Sequence, residues 1–306
     1  MFGFDRPPEE QAKVAEEDCS EMTVLVTGST SGIGRVTACS LGRLGAHVIV
    51  HGRNAEAGGA VVDEIEDSDG TAEFVRADFA EPDEVSALAD HVRDSVATLD
   101  VLCNNAGGLF ETTEPTALGV DPAFHINHLA PYQLTAELLD TFDSGSRVVT
   151  TSSIAHRGTT LNLAELLDLT GLSTVAAYCR SKLANVQFAT ELGRRLAAAD
   201  RDVTSNSFHP GAIPGSEFGR AFPGFSTDLW QLFDQSPVTE SVEEGASTLV
   251  YLAVSPDVAN TTSAYFARRR EIKASPAARD REAQRRLWER SAEILAIEEP
   301  LAEIAE

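Results

Sequence analysis

The chain has 306 residues, enough for one large domain with a substantial core, and its 42% hydrophobic content is that of an ordinary globular protein. Against 24 Lys and Arg stand 48 Asp and Glu, a formal net charge of −24; nucleic acid and anionic membrane surfaces repel such a chain, so neither is expected as a partner. Only Lys13, Lys182 and Lys273 are lysines, and so acidic and lysine-poor a surface fits a cytoplasm of high salt, where screening relieves self-repulsion.

Residues 1–21 read as an acidic arm ahead of a single domain over 22–306. The arm lacks a cationic start followed by an apolar run, so it is no signal peptide, and no stretch approaches the ~18 uninterrupted apolar residues of a membrane span. The expected setting is soluble, reduced and cytoplasmic. Cys19, Cys39, Cys103 and Cys179 have no CxxC spacing and read as inert free thiols. Short β-branched runs follow at Thr23–Thr27, His47–His51, Glu73–Ala77, Val101–Asn104, Arg147–Thr151 and Val203–Phe208. Between them lie helical patterns at 33–44, 82–96, 121–141 and 176–199, with a charged helix at 280–296. Near-continuous apolar strands alternating with helices predict an α/β fold: a Rossmann-type doubly wound parallel sheet flanked by helices on both faces.

The first strand runs into "TGSTSGIG", which places Gly28, Gly32 and Gly34 between a strand and a helix start. Glycines there let the backbone turn tightly and approach a pyrophosphate, whose charge the helix N-terminus attracts. The second strand ends in Gly52 and Arg53 with no carboxylate beside them, which suits a ribose 2′-phosphate and makes NADP(H) the preferred cofactor over NAD(H). Asp78, after the third strand, is placed either to meet the adenine amino group or to cap the next helix.

"AAYCRSKLANVQFATEL", 176–192, sets Tyr178 and Lys182 four apart on one helix face. Alone they are a surface pair or a proton-transfer device. A free phenol, with pKa near ~10, is a weak base at neutral pH, and a close cation favours its ionised form. A lysine in a chain whose basic residues are otherwise nearly all arginine argues against a random surface charge.

Together "TGSTSGIG", "NNAG" (104–107), "INHLAPYQLT", "RVVTTSSIAH", Tyr178-x3-Lys182 and "HPG" (209–211) resemble the short-chain dehydrogenase/reductase family over about Thr23 to Trp288. "AYCRSKLANVQFATEL" and "ARDREAQRRLWERS" are similar to its retinol dehydrogenase and WW-domain oxidoreductase branch. The resemblance implies an oxidoreductase interconverting an alcohol and its carbonyl by hydride transfer. Tyr178 would be the acid/base, Lys182 its pKa-lowering partner and nicotinamide-ribose ligand, and Ser153, rather than its rival Ser152, the residue orienting the carbonyl. Asn127, a poor helix-interior residue, would kink its helix and hold a relaying water. Cofactor contacts would come from Gly28, Ser29, Ser31, Gly32, Ile33, Gly34, Arg53, Asp78, Asn105, Ala106, Gly107, Tyr178, Lys182, Pro210, Gly211 and Ile213. Asn104 would stabilise the sheet. His125, His128 and His209 are dispersed, without an accompanying carboxylate set, and read as structural or solvent-facing rather than metal ligands.

The pattern departs from the family after "HPG", where Pro214 and Gly215 stand near the usual nicotinamide-contacting threonine; Ser216 is the substitute one insertion away. The 211–237 stretch offers Phe218, Phe222, Phe225, Leu229, Trp230 and Phe233 either as a lid over a small lipophilic carbonyl or alcohol or as packing onto the core. The family also implies a homodimer or homotetramer through the 121–141 and 176–199 helices. A non-catalytic nucleotide sensor on the same fold is the competing class.

Overall fold

The computed structural model describes residues 6–68, 70–111, 114–211 and 240–302. Seven parallel strands form the sheet: β1 (Thr23–Val26), β2 (His47–Gly52), β3 (Thr71–Arg76), β4 (Val101–Asn104), β5 (Arg147–Thr151), β6 (Thr204–His209) and β7 (Tyr265–Ala267). A short β8 (Arg270–Glu271) closes the edge antiparallel to β7, and the order is β3-β2-β1-β4-β5-β6-β7-β8. Strands carrying Val24, Leu25 and Val26 or Val48, Ile49 and Val50 are buried on both sides, so both faces need a helical layer. On one face α2 (Gly32–Arg43), α3 (Ala55–Glu66) and α8 (Val242–Val254) cover Val24, Val26, Val48 and Val50. On the other, α4 (Pro82–Ser95), α6 (Ala130–Glu137) and α7 (Thr174–Ala198) cover Leu25, Ile49, Leu102 and Val148.

Three segments differ from the sequence reading. The arm is not a mere appendage: α1 (Pro8–Ala12) lies against α8 and α2, Ala12, Val14 and Cys19 enter the core, and buried Glu9 accepts from Ser40 Oγ at 2.6 Å and Arg43 Nε at 2.7 Å. The 121–141 helix is not continuous. Asp121 caps one turn, α5 (Pro122–Phe124), by accepting from Phe124 N at 2.8 Å. A π-helical turn, His125–Leu129, follows and then α6. Strand β6 is polar, not apolar: Thr204, Ser205, Asn206 and Ser207 are buried, and Asn206 is held by Thr261 O at 2.6 Å and Ala264 N at 3.1 Å.

The last helix, α9 (Arg281–Leu295), forms a third layer over α6 and α7. Trp288 stacks on Phe188 at 5.8 Å and meets Tyr132 at 4.9 Å, while His128 Nε2 donates to Ser291 Oγ at 2.9 Å. Buried Arg195 lies 5.0 Å from the Trp288 ring and pairs with Glu191 and Glu299. The C-terminal helix thus packs on α6 and α7, the two helices expected to meet a second subunit. Among the described residues no helix is long and apolar enough to cross a membrane.

Candidate active site

The strand order reverses at β1 and β4, and ligands of such sheets bind outside the carboxyl ends of strands at that point. There β1 passes into Gly28 (φ +65°) and Gly32 (φ +55°) before α2. A methyl on Gly28 would lie 2.7 Å from Ala106 Cα, and one on Gly34 would drive into the Gly28 carbonyl oxygen, so both glycines permit close backbone packing. A methyl on Gly32 would meet nothing within 4 Å. The α2 N-cap, Ser31, makes no side-chain cap bond, and the first turn carries no acidic residue. An open loop leading to uncapped N–H groups with no competing carboxylate fits a dinucleotide pyrophosphate. Ile33 is half-buried against the core.

Ser29 faces inward. Its hydroxyl accepts from His51 N at 2.9 Å and its N–H donates to His51 O at 2.9 Å. Asn105 binds the loop to the sheet by donating through Nδ2 to Thr27 O at 2.9 Å and accepting from Thr151 Oγ1 at 3.3 Å. Ala106 N donates to Thr27 Oγ1 at 2.9 Å, and Asn104 Nδ2 donates to Thr135 Oγ1 at 3.0 Å. At the far rim Arg53 Nη1 sits 3.6 Å from Asp78 Oδ2, so the two residues read for the adenosine end are neighbours. Asp78 also accepts from Ala80 N at 3.0 Å, a local turn rather than the α4 cap, which falls at Glu81. Across the cleft Gly211 follows Pro210 with φ +86° and donates to His209 Nδ1 at 3.2 Å. Ile213, Ser216 and the aromatic stretch from Phe218 to Phe233 lie outside the described residues.

The Tyr178–Lys182 pair stands on α7, whose N-cap Ser173 accepts from Ala176 N at 3.2 Å and fixes the start of the helix. Tyr178 and Lys182 follow one turn apart, with Lys182 Nζ 5.7 Å from the Tyr178 ring centroid. Lys182 is buried and donates to Thr151 O at 3.2 Å. The Ser153 side chain hydrogen-bonds Tyr178, whereas Ser152 Oγ donates to the Lys182 carbonyl at 2.7 Å. Asn127 lies in the π turn, where Oδ1 accepts from Gly108 N at 2.9 Å and Nδ2 donates to Gly108 O at 3.0 Å and Ser181 Oγ at 2.9 Å. A methyl on Gly107 would fall 2.6 Å from Asn127 Oδ1 and 3.4 Å from Lys182 Nζ, so these residues crowd one point.

Burial sets the electrostatics. It pushes the Tyr178 phenol up to about 12 despite the Ser153 bond, and Lys182 down to about 8. The lowering expected from the lysine is not seen in the protein alone: the Ser153 bond is what lowers the phenol, and desolvation outweighs it.

Two histidines that sequence reasoning passed over frame the site. His51 Nδ1 accepts from Gly28 N at 3.1 Å and Nε2–H donates to Ala77 O at 3.1 Å, with the ring stacked 4.6 Å from Phe79. His156 lies against Ser153 and Tyr265. Their signal was position: each ends or follows a strand at the ligand edge, in "HVIVHG" and "SSIAH". His125 and His128 are fully buried, and the described residues hold no group of three His, Cys, Asp or Glu suited to a metal.

A fold of this order, a glycine loop at the switch point and a Ser-Tyr-Lys set define a nicotinamide-dependent oxidoreductase. Residues 22–221 match the family model for short chain dehydrogenases, and the chain belongs to that family of enzymes acting on CH–OH groups. It is 34% identical over 291 residues to polyprenol dehydrogenase of Homo sapiens, spanning 90% of this chain and 86% of that protein. It is 35% identical over 296 residues to retinol dehydrogenase 14 of Mus musculus, again 90% and 86%. Among solved structures it resembles landomycin C-6 ketoreductase LanV with bound NADP and rabelomycin, at 28% identity and a TM-score of 0.65 over 82% of this chain and 96% of that one.

Proposed function

We propose that this enzyme is NADP(H)-dependent and interconverts a small lipophilic alcohol with its aldehyde or ketone, with Tyr178 as the acid/base. The observation that carries this reading is the Ser153–Tyr178–Lys182 set beside Gly107, with Lys182 buried and Ser153 and Tyr178 partly exposed. When bound, a nicotinamide cofactor supplies or accepts the hydride. A phenol held near 12 keeps its proton at neutral pH and can give it to a carbonyl oxygen as that oxygen gains charge. Ser153, already bonded to the phenol, can donate to the same oxygen and steady its charge. Lys182 at about 8 remains largely an ammonium at neutral pH; its burial next to the phenol lets it stabilise the phenolate left behind and bind the nicotinamide ribose. Asn127, fixed by Gly108 and Ser181, holds the helix open at the π turn, where a water relaying protons towards Lys182 would sit.

The glycine loop, Asn105, Ala106, Gly107, Pro210 and Gly211 would hold the dinucleotide, with Ser31 and Ile33 at the helix start and Ser29 and His51 supporting the loop from behind. Arg53 at the end of β2 supports NADP(H), as does NADP in the LanV structure. Its contact with Asp78 engages part of that charge and keeps NAD(H) as the second reading. The substrate class is supported by relatives named for polyprenol and retinol and by rabelomycin in LanV. The family supports a homodimer or homotetramer through the 121–141 and 176–199 helices, and α9, packed on both through Trp288, would then lie at or beside that interface. The acidic surface supports a salt-rich cytoplasmic setting.

The test is a panel of retinol, polyprenol, rabelomycin and the aldehydes of the two alcohols, followed by nicotinamide absorbance at low and molar salt. Turnover with NADPH should exceed that with NADH, and Arg53→Ala should erase about tenfold or more of the difference, as loss of a charge-assisted phosphate contact would. An Arg53→Ala enzyme with unaltered preference would refute the cofactor assignment.

A further inference from the structure

We propose that His156 is a positioning residue: it ties the main chain of Ser153 to the C-terminal strand segment and so sets where the Ser153 hydroxyl meets the reacting oxygen. The inference rests on the reading of Ser153 and Tyr178 as the proton-handling pair.

The geometry fixes what the imidazole does. Ser275 N–H approaches His156 Nε2 at 3.1 Å, and an N–H can only donate, so Nε2 presents its lone pair. Burial keeps the ring neutral, with its pKa lowered to about 4. The proton therefore sits on Nδ1, which donates to Ser153 O at 2.7 Å. The same carbonyl also accepts from His156 N at 3.2 Å, closing the first turn of a 3-10 helix, Ile154–Gly158, of which Ser153 is the N-cap.

The Tyr265 hydroxyl lies 3.3 Å from Nδ1, and its ring meets the imidazole edge-on at 4.8 Å. His156 is completely buried. Both partners come from the far end of the chain, Tyr265 from β7 and Ser275 from the segment after β8.

The residues preceding Ser153 are fixed by β5, and the short 3-10 turn after it packs on α7 and is joined to the segment after β8 by two side chains, His156 and Arg157, whose Nη2 donates to Lys273 O at 2.5 Å. Of the two, only His156 also bonds the Ser153 carbonyl. The Ser153 hydroxyl accepts from Ala155 N at 3.2 Å within that turn, so moving the turn moves the oxygen that meets Tyr178. Misplacement of a reacting group by an ångström costs about 10²-fold in rate. His156 is the buried side chain that joins the Ser153 carbonyl itself to the segment after β8.

Two variants separate positioning from bulk packing. His156→Phe keeps the ring against Tyr265 and removes both hydrogen bonds. His156→Asn puts an amide N–H near the Nδ1 position and keeps the bond to Ser153 O. With the aldehyde or ketone that the wild type reduces fastest, His156→Phe should lower kcat by about 10²-fold at unchanged KM and unchanged NADPH affinity. His156→Asn should recover to within about tenfold of wild type, the worth of one hydrogen bond. In the wild type, nitrogen NMR of this histidine should show the Nδ1–H tautomer, a readout that needs no variant.

Unchanged kcat in His156→Phe, equal losses in Phe and Asn, loss of NADPH affinity in parallel with kcat, or an Nε2–H tautomer would each overturn the assignment. Ser153→Ala and Tyr178→Phe measured alongside distinguish the two failures. If these two retain turnover, the acid/base reading has failed. If they are inactive while His156→Phe is not, only the role of His156 has.

Discussion

The glycine-loop side and the C-terminal side of the cleft are held in similar ways by different routes. On the first, His51 bonds Gly28 N and Ala77 O, both at the ends of strands next to its own. On the second, His156 bonds Ser153 beside it in sequence but Ser275 and Tyr265 more than a hundred residues further on. Both rings are buried, both are held neutral with pKa values lowered to about 4, and in both a backbone N–H fixes the tautomer. The glycine-loop side is thus built from neighbouring βαβ units, while the C-terminal side depends on the chain returning as β7 and the segment after β8. A local motif can specify the first; only tertiary closure can specify the second.

The largest effect should come from the local side. In Gly34→Ala the new methyl meets the Gly28 carbonyl oxygen and lies 2.5 Å from Asn105 Nδ2, both backed by the sheet. NADPH binding by fluorescence titration should fall below detection while far-ultraviolet circular dichroism stays near wild type. Binding at wild-type strength would mean that the loop is not the cofactor cradle.

Next, Trp288→Ala tests the long-range side. The ring is buried against Phe188, Tyr132 and Arg195, and its loss should cost about 3–5 kcal/mol in urea unfolding. It should also uncover the apolar α6–α7 face, so light scattering should show more self-association than in the wild type. A loss under about 1 kcal/mol would show that α9 is an accessory layer, since surface substitutions typically stay within about half that value.

The smallest effect per group is shared by both sides. His51, His156 and His209 each have a folded pKa of about 4, below the unfolded value of 6.5. Their contribution is therefore fully present above pH 6.5 and lost as pH falls through 4, because the unfolded chain binds the protons first. Each group should remove about 1.4 kcal/mol for every pH unit travelled inside that window. Urea midpoints from pH 7 to 5 should show this slope, and His51→Gln or His156→Gln should each flatten it by a similar step. A slope unaffected by either variant would break the parallel between the two sides.

The sequence made the glycine loop and the Tyr-Lys pair legible because each is contiguous: Gly28, Gly32 and Gly34 sit in one turn, and Tyr178 and Lys182 on one helical turn. The strands β1, β2, β4 and β5 were readable as apolar runs, whereas β6 was read for its Val203 and Phe208 ends and is polar between them. Its Asn206 is paid for by partners at 261–264 that no local pattern announces. The π turn at Asn127 left only the weak sign of an asparagine in a helical pattern, since its wide turn depends on bonds to Gly108 and Ser181. The arm read as an appendage because its anchors, Ser40 and Arg43, lie on a later helix. The charged face of 280–296 was visible, but not that Trp288 would pack on Tyr132 and Phe188 of α6 and α7.

The central claim is that Tyr178 delivers and takes the proton. The most direct measurement is Tyr178→Phe, which removes one hydroxyl and keeps the ring, assayed for NADPH-linked carbonyl reduction with NADPH affinity measured in parallel. Turnover should fall by about 10²- to 10⁴-fold, the usual contribution of a positioned acid/base, with NADPH affinity within about threefold of wild type. Turnover at the wild-type level with intact cofactor binding would contradict the account.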